Sequence, residues 1–236
     1  MTDKPYKVPL HNRIFRTILR PIFRGLFHIL SQVKVSGKEN VPEKSAYLIA
    51  MNHVSLFEPP FVLAFWPVAP EAVGAVDIWS RPGQSLLAKM YGGIQVHRGE
   101  YDRQLIEKMV SALNAGRPLL IAPEGGRSHT LGMRRALPGV AHIIDKARVP
   151  VVPVGILGAT DEFLSKALRG KRTTIEMRIG KPAYIDPIEG HGKTRRLSRQ
   201  NNADKIMLLI ADLLPPEYHG FYSDDSRSEA YTETSS

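Results

Sequence analysis

Between residues 47 and 179, short apolar runs alternate with stretches of helical periodicity, and this alternation restricts the fold more than any other feature. Strands are expected at 47–51, 72–78, 94–97, 119–122, 151–154 and 174–179, and helices at 60–65, 84–91, 103–115, 139–147 and 161–167. The third of these helices shows the logic. Leu105, Ile106, Met109, Val110 and Leu113 form one apolar stripe, Asp102 is placed to cap its start, and Gly116 to end it. Strand and helix in regular alternation imply an α/β fold, with a mixed, largely parallel sheet flanked by helices. In such sheets, sites form just beyond the strand ends.

The flanks differ from this centre. Residues 13–30 read RIFRTILRPIFRGLFHIL, with Arg13, Arg16, Arg20 and Arg24 recurring at helical spacing among apolar residues. An amphipathic helix is expected, kinked at Pro21. Two surfaces could take its apolar face: the protein's own core, or a membrane surface with the arginines among anionic headgroups. The second is favoured, and the segment lacks the ~20 uninterrupted apolar residues of a membrane span. Residues 191–205 read as a polar, basic linker, and 203–214 as a last helix ended by Pro215 and Pro216. The expected organisation is a membrane-surface helix over 1–34, a main α/β domain over 35–215 and a disordered acidic tail over 216–236.

The chain of 236 residues carries a formal charge of +9, with +6 in residues 1–40 and −4 in residues 217–236. A basic balance suits anionic lipid, small anions or nucleic acid. No nucleic-acid-binding pattern accompanies it, so no nucleic-acid partner is expected. There is no cysteine, which excludes disulfides, a catalytic thiol and thiolate metal sites. The first apolar run carries an arginine every three or four residues, unlike a signal peptide.

Two short runs carry chemistry. Asn52-His53-Val54-Ser55-Leu56-Phe57-Glu58-Pro59-Pro60 places a carboxylate five residues after a histidine, at the end of an apolar strand. On a regular helix these two side chains would diverge. Pro59 turns Glu58 away from helical geometry, so a tight loop is expected, with a helix starting near Pro59 or Pro60. Such a loop folds Glu58 back to His53, where a carboxylate holding one ring nitrogen leaves the other as a base. The second run, Ile121-Ala122-Pro123-Glu124-Gly125-Gly126-Arg127-Ser128, offers glycine N–H groups and a forked Arg donor to an anion. Taken singly, each run also reads as an ordinary surface turn.

Four blocks in order resemble the glycerolipid acyltransferase family, that of the 1-acylglycerol-3-phosphate acyltransferases. They are Asn52-His53 with the acid at position 58; Gly92 to Arg98; Pro123 to Ser128; and Val149 to Val154. The resemblance covers roughly residues 35–185. Glu58 stands where the family has Asp, and Gly126 where it has Thr.

This resemblance implies acyl transfer from a thioester to an alcohol, yielding phosphatidic acid from a lysophospholipid acceptor. His53 would be the general base and Glu58 its orienting partner. Arg98, Glu124, Gly125, Gly126, Arg127 and Ser128 would bind the acceptor's phosphate and glycerol. Asn52 and Ser55 would brace the His53 loop, and Pro153 would shape the site wall. Backbone N–H groups near that loop are expected to stabilise the oxyanion. The implied co-substrate is acyl-coenzyme A or acyl carrier protein, with no cofactor and no metal. The implied setting is an anionic membrane on its cytoplasmic side, with the protein peripheral or monotopic. Two alternatives remain at this point: a relative acylating another lysolipid, and a catalytically weak lipid-binding homologue.

Overall fold

The computed structural model describes residues 6–43, 45–97 and 102–223. Its centre is a seven-stranded sheet formed by β1 (Ser31–Ser36), β2 (Leu48–Met51), β3 (Glu71–Ala75), β4 (Ile94–Val96), β5 (Leu119–Ile121), β6 (Val151–Leu157) and β7 (Thr173–Ile179). The spatial order is β1-β7-β6-β2-β5-β3-β4. Every neighbouring pair is parallel except β6 with β7. The α/β, largely parallel expectation therefore holds.

Helices cover both faces. On one, α4 (Arg103–Asn114), α5 (Gly139–Ala147) and α7 (Gly192–Ala211) pack Met109, Leu113, Val140, Ile144, Ile206 and Ile210 against Leu48 and Ala50. On the other, α1 (Leu10–Leu30), α2 (Glu58–Phe65) and α6 (Phe163–Leu168) pack Phe27, Phe61 and Phe163 against Ile49 and Met51. Alternate residues of the central strand β2 thus enter opposite cores, as period-2 side chains must. The remaining helix, α3 (Gln84–Tyr91), lies against α1. Asp102 caps α4 as expected, accepting a hydrogen bond from Leu105 N at 3.0 Å.

Three expectations need correction. Three of the four arginines of the N-terminal helix do not point out among headgroups, Arg13 alone being exposed. Arg16 is buried against Glu71, while Arg20 and Arg24 bond carbonyls of the α2 end, and the apolar residues Leu10, Ile14, Ile18, Ile22, Leu26 and Ile29 are exposed instead. The supposed linker 191–205 forms most of α7; its first half carries no apolar stripe, so periodicity gave no signal there. The tail expected to be disordered from 216 is ordered at least to 223. Tyr218 and Tyr222 are buried, and Tyr222 Oη accepts from Ala136 N at 2.8 Å and donates to Asp204 at 2.7 Å.

Candidate active site

The site forms beyond the C-terminal ends of three adjacent parallel strands, β2, β5 and β6. The chain leaves β2 toward β3 on one side and reaches β6 on the other, so the loops diverge and leave a crevice there. The loops after these strands carry His53, Glu124 to Ser128, and Asp161.

The loop after β2 is built almost wholly by its own side chains. Asn52 is buried and ties β2 to β6, donating to Ile156 O at 3.0 Å and accepting from Ile156 N at 2.7 Å. Ser55 Oγ accepts from Phe57 N at 3.2 Å, so both residues brace the loop. Glu58 Oε2 accepts from His53 Nδ1 at 2.9 Å, from Val54 N at 2.8 Å and from Ser55 N at 3.1 Å. Glu58 is the first residue of α2, although the helix was expected to start near Pro59 or Pro60 and Pro59 to keep Glu58 out of it. Pro59 and Pro60 fill the next places in the first turn, where N–H groups have no intrahelical partner, so both prolines are accommodated without lost bonds.

Glu124 bridges two loops. Its Oε1 accepts from His53 N at 2.7 Å and its Oε2 from Arg134 N at 2.7 Å, while Ser128 N donates to His53 O at 2.8 Å. Gly125 adopts a left-handed φ of 67°, and a Cβ there would sit 2.2 Å from Leu137 Cδ1, so that turn admits only glycine without rearrangement. Arg127 Nη1 lies 3.3 Å from Asp161 Oδ1.

Burial dominates the electrostatics. It pushes the Glu58 carboxyl well above its usual range, opposed by the Ser55 and Val54 N–H groups and by Arg127. Burial likewise lifts Glu124 to about 8, opposed by the Arg134 and His53 N–H groups and aided by the nearby charge of Glu58. A carboxylate made basic in this way is a strong acceptor for the Nδ1 proton of His53. That places the lone pair on Nε2.

The structure thus gathers Asn52, His53, Ser55, Glu58, Glu124, Gly125, Gly126, Arg127 and Ser128. Arg98 lies outside the described residues. Pro153 lies inside β6 with its ring near Gly180, which also neighbours Leu213 beyond α7, on the face turned away from α2. The expected oxyanion donors are also revised. The N–H groups of His53, Val54, Ser55 and Phe57 are already bonded to Glu124, Glu58 and Ser55. Sequence reasoning missed Asp161 and Arg134. The only signal for Asp161 was its place just past the end of β6; it read as part of a helix instead. Among the described residues, no cluster of three or more His, Asp or Glu is arranged to hold a metal ion.

The chain is similar in fold and in sequence to known proteins. The fold is similar to that of the crystal structure of the 1-acyl-sn-glycerophosphate acyltransferase PlsC from Thermotoga maritima, with a TM-score of 0.59 and 20% identity over 85% of this chain and 81% of that one. The sequence is 29% identical over 227 residues to the lyso-ornithine lipid O-acyltransferase of Pseudomonas aeruginosa, covering 89% of this chain and 83% of that protein. Residues 32–157, which hold His53, Glu58, Glu124 and Arg127, match the Acyltransferase family model, and the chain belongs to that family.

Proposed function

We propose that the protein is a lysolipid O-acyltransferase that works at a membrane surface, with His53 as its general base. The observation that carries this reading is the contact of His53 Nδ1 with buried Glu58 Oε2 at 2.9 Å, beyond a parallel strand end. His53 Nε2 takes the proton of the acceptor hydroxyl as its oxygen attacks the thioester carbonyl of acyl-coenzyme A or acyl carrier protein. Glu58 stabilises the imidazolium that forms. The tetrahedral intermediate then expels a thiolate, whose parent thiol has a pKa of about 8.5 and which leaves with little assistance.

For a 1-acylglycerol-3-phosphate acceptor, Arg127 offers donors to the phosphate, with Arg98 and the Gly126 N–H as further candidates, whereas the Gly125 N–H expected to join them donates to Ala122 O at 3.1 Å. A second acceptor is favoured by one observation. Arg127 is paired with Asp161, so a headgroup bearing both an anion and an ammonium meets complementary charges there. A lyso-ornithine lipid, the acceptor in the name of the Pseudomonas relative, fits that description.

Membrane contact is assigned to α1. Leu10, Ile14, Ile18, Ile22, Leu26 and Ile29 form one exposed apolar stripe, and Leu86 and Leu87 on α3 and Leu168 on α6 are exposed as well. Exposed Lys7 and Arg13 at its start suit anionic headgroups. No described helix is long and apolar enough to cross a membrane.

The test offers labelled acyl-coenzyme A, or acyl carrier protein, with lysophosphatidic acid or lyso-ornithine lipid on anionic vesicles. Wild type should acylate at least one acceptor, and His53→Ala should lose about 10³-fold or more while keeping its fold. Turnover retained in His53→Ala overturns the mechanism. The preferred acceptor decides between the two headgroups.

A further inference from the structure

The inward face of α1 does more than hold the helix down. Helix α2 is eight residues long and, at 1.5 Å per residue, spans about 12 Å. Its first residue is Glu58, whose carboxylate orients His53. Its last carbonyls have no intrahelical N–H to accept from, as at every helix end. Two arginines of α1 supply the missing donors. Arg20 Nε donates to Leu63 O at 2.9 Å, and Arg20 Nη2 donates to Trp66 O and, at 3.4 Å, to Pro67 O. Arg24 Nε donates to Ala64 O at 2.6 Å. Both cations also sit at the negative end of the α2 dipole, which favours them there.

Packing reinforces the grip. Phe27 of α1 stacks edge-on against Phe61, with ring centres 5.1 Å apart, and Phe61 lies 4.9 Å from Phe65. Helix α2 is thus fixed at both ends, by its own Glu58 in the catalytic loop and by two guanidinium groups from α1.

We propose that Arg20 and Arg24 are positioning residues: by fixing the far end of α2 they set the His53–Glu58 contact, so α1 governs the chemical step as well as presenting its apolar stripe. A short rigid helix converts a shift at one end into a shift at the other. A displacement of about 1 Å at a reacting group costs on the order of 100-fold in rate. The inference rests on the base role of His53 proposed above.

The experiment separates chemistry from docking by using a short-chain lysolipid dispersed below its micelle concentration. Arg20→Met with Arg24→Met should lower kcat about tenfold or more, with KM for the dispersed acceptor within about twofold. The acid limb of its kcat/KM profile should move to lower pH, because His53 then accepts a proton less readily. Sedimentation with anionic vesicles should be unchanged. Arg20→Lys with Arg24→Lys, which keeps charge and part of the donation, should recover part of the rate. By contrast, Ile14→Ser with Ile18→Ser should lose vesicle binding and keep kcat on the dispersed acceptor.

A Met variant with a lowered melting temperature but normal kcat and a normal acid limb would overturn the inference and leave the arginines as packing groups. Equal loss of kcat in the Ile→Ser variant would also overturn it. If the double Met variant fails to fold, Arg24→Met alone, which leaves the contacts of Arg20 in place, is read the same way. Full activity in His53→Ala would instead sink the underlying mechanism. An inactive His53→Ala beside a normal Met variant sinks only the positioning role.

Discussion

Glu58 and Glu71 are both fully buried, yet their surroundings are opposite in kind. Glu71 opens β3 at the N-terminal edge of the parallel strands. Arg16 meets it with two parallel bonds of 2.8 and 2.7 Å, Arg117 adds one at 3.1 Å, and Tyr6 donates at 2.9 Å. Glu58 lies at the C-terminal edge. Its Oε2 is held by two backbone N–H groups and His53, and its Oε1 has no hydrogen-bond partner. Burial works to raise both carboxyls. At Glu71 the bonds and charge of Arg16 outweigh it and bring the group below its ordinary value; at Glu58 burial wins. The first arrangement neutralises a buried charge and fastens α1 to the sheet. The second keeps a carboxylate basic and aimed at a histidine. One sheet therefore carries a structural ion cluster at one edge and a reactive pair at the other.

The sharpest way to break this contrast is to remove a cation from the first cluster. Arg16→Met leaves Glu71 with only the half-exposed Arg117 and Tyr6, and a buried charge deprived of its main partner costs about 3–5 kcal/mol. Denaturant unfolding should show a loss of that size. Arg16→Met combined with Glu71→Leu should recover much of it, since an apolar pair of similar volume is often as stable as a buried ion pair. A loss confined to below about 1 kcal/mol would make Arg16 an ordinary surface pair, which its burial argues against.

Glu58→Gln probes the other edge, and its signature should be the reverse. The amide oxygen can accept the same three bonds as Oε2, and the amide nitrogen replaces an oxygen that bonds nothing. The fold should keep its melting temperature, because a buried charge is removed rather than orphaned. Turnover should fall about 100-fold or more, because the imidazolium loses its counter-charge. Equal turnover would reduce Glu58 to a loop brace. Glu58→Asp sharpens the point: the shorter arm draws the carboxylate away from Nδ1, and kcat should fall about 10- to 100-fold.

How much of this was legible in the chain depends on sequence distance. The His53–Glu58 pair lies within five residues and meets across a tight loop, so it could be read directly, although Glu58 joins the helix that Pro59 was expected to keep it out of. Helices α4 and α5 and the central strands carried clear periodicity, and their existence followed. What could not be read were choices made by distant partners. A helix with a basic and an apolar face does not say which face meets the protein. That was decided by Glu71, 55 positions from Arg16, and by the carbonyls of α2. Likewise Asp161 meets Arg127 only because β6 runs beside β2, across 34 residues of sequence. Edge strand β1, with only Val33 and Val35 turned partly inward, gave too weak an alternation to be separated from the helix before it.

The smallest expected effect is a pH dependence of opposite sign at the two edges. The Glu71 carboxyl lies below its ordinary 4.5 in the folded protein, so the unfolded chain takes up its proton first as the solution is acidified. Stability from this group is complete above about pH 4.5 and is lost as pH falls through the lower folded value. Glu124 has the reverse shift, with a folded value of about 8 against an ordinary 4.5. Between those values the folded protein holds a proton that the unfolded chain has released, so the contribution of this group declines as pH rises through that window. Melting temperature measured across the range should therefore fall on both sides. Arg16→Met should flatten the acid side, because Glu71 no longer has a favoured charged form. Glu124→Gln should flatten the side between about pH 5 and 8, leaving the acid side intact. An unchanged alkaline slope in Glu124→Gln would assign that slope to Glu58, whose carboxyl is displaced in the same direction by the same burial.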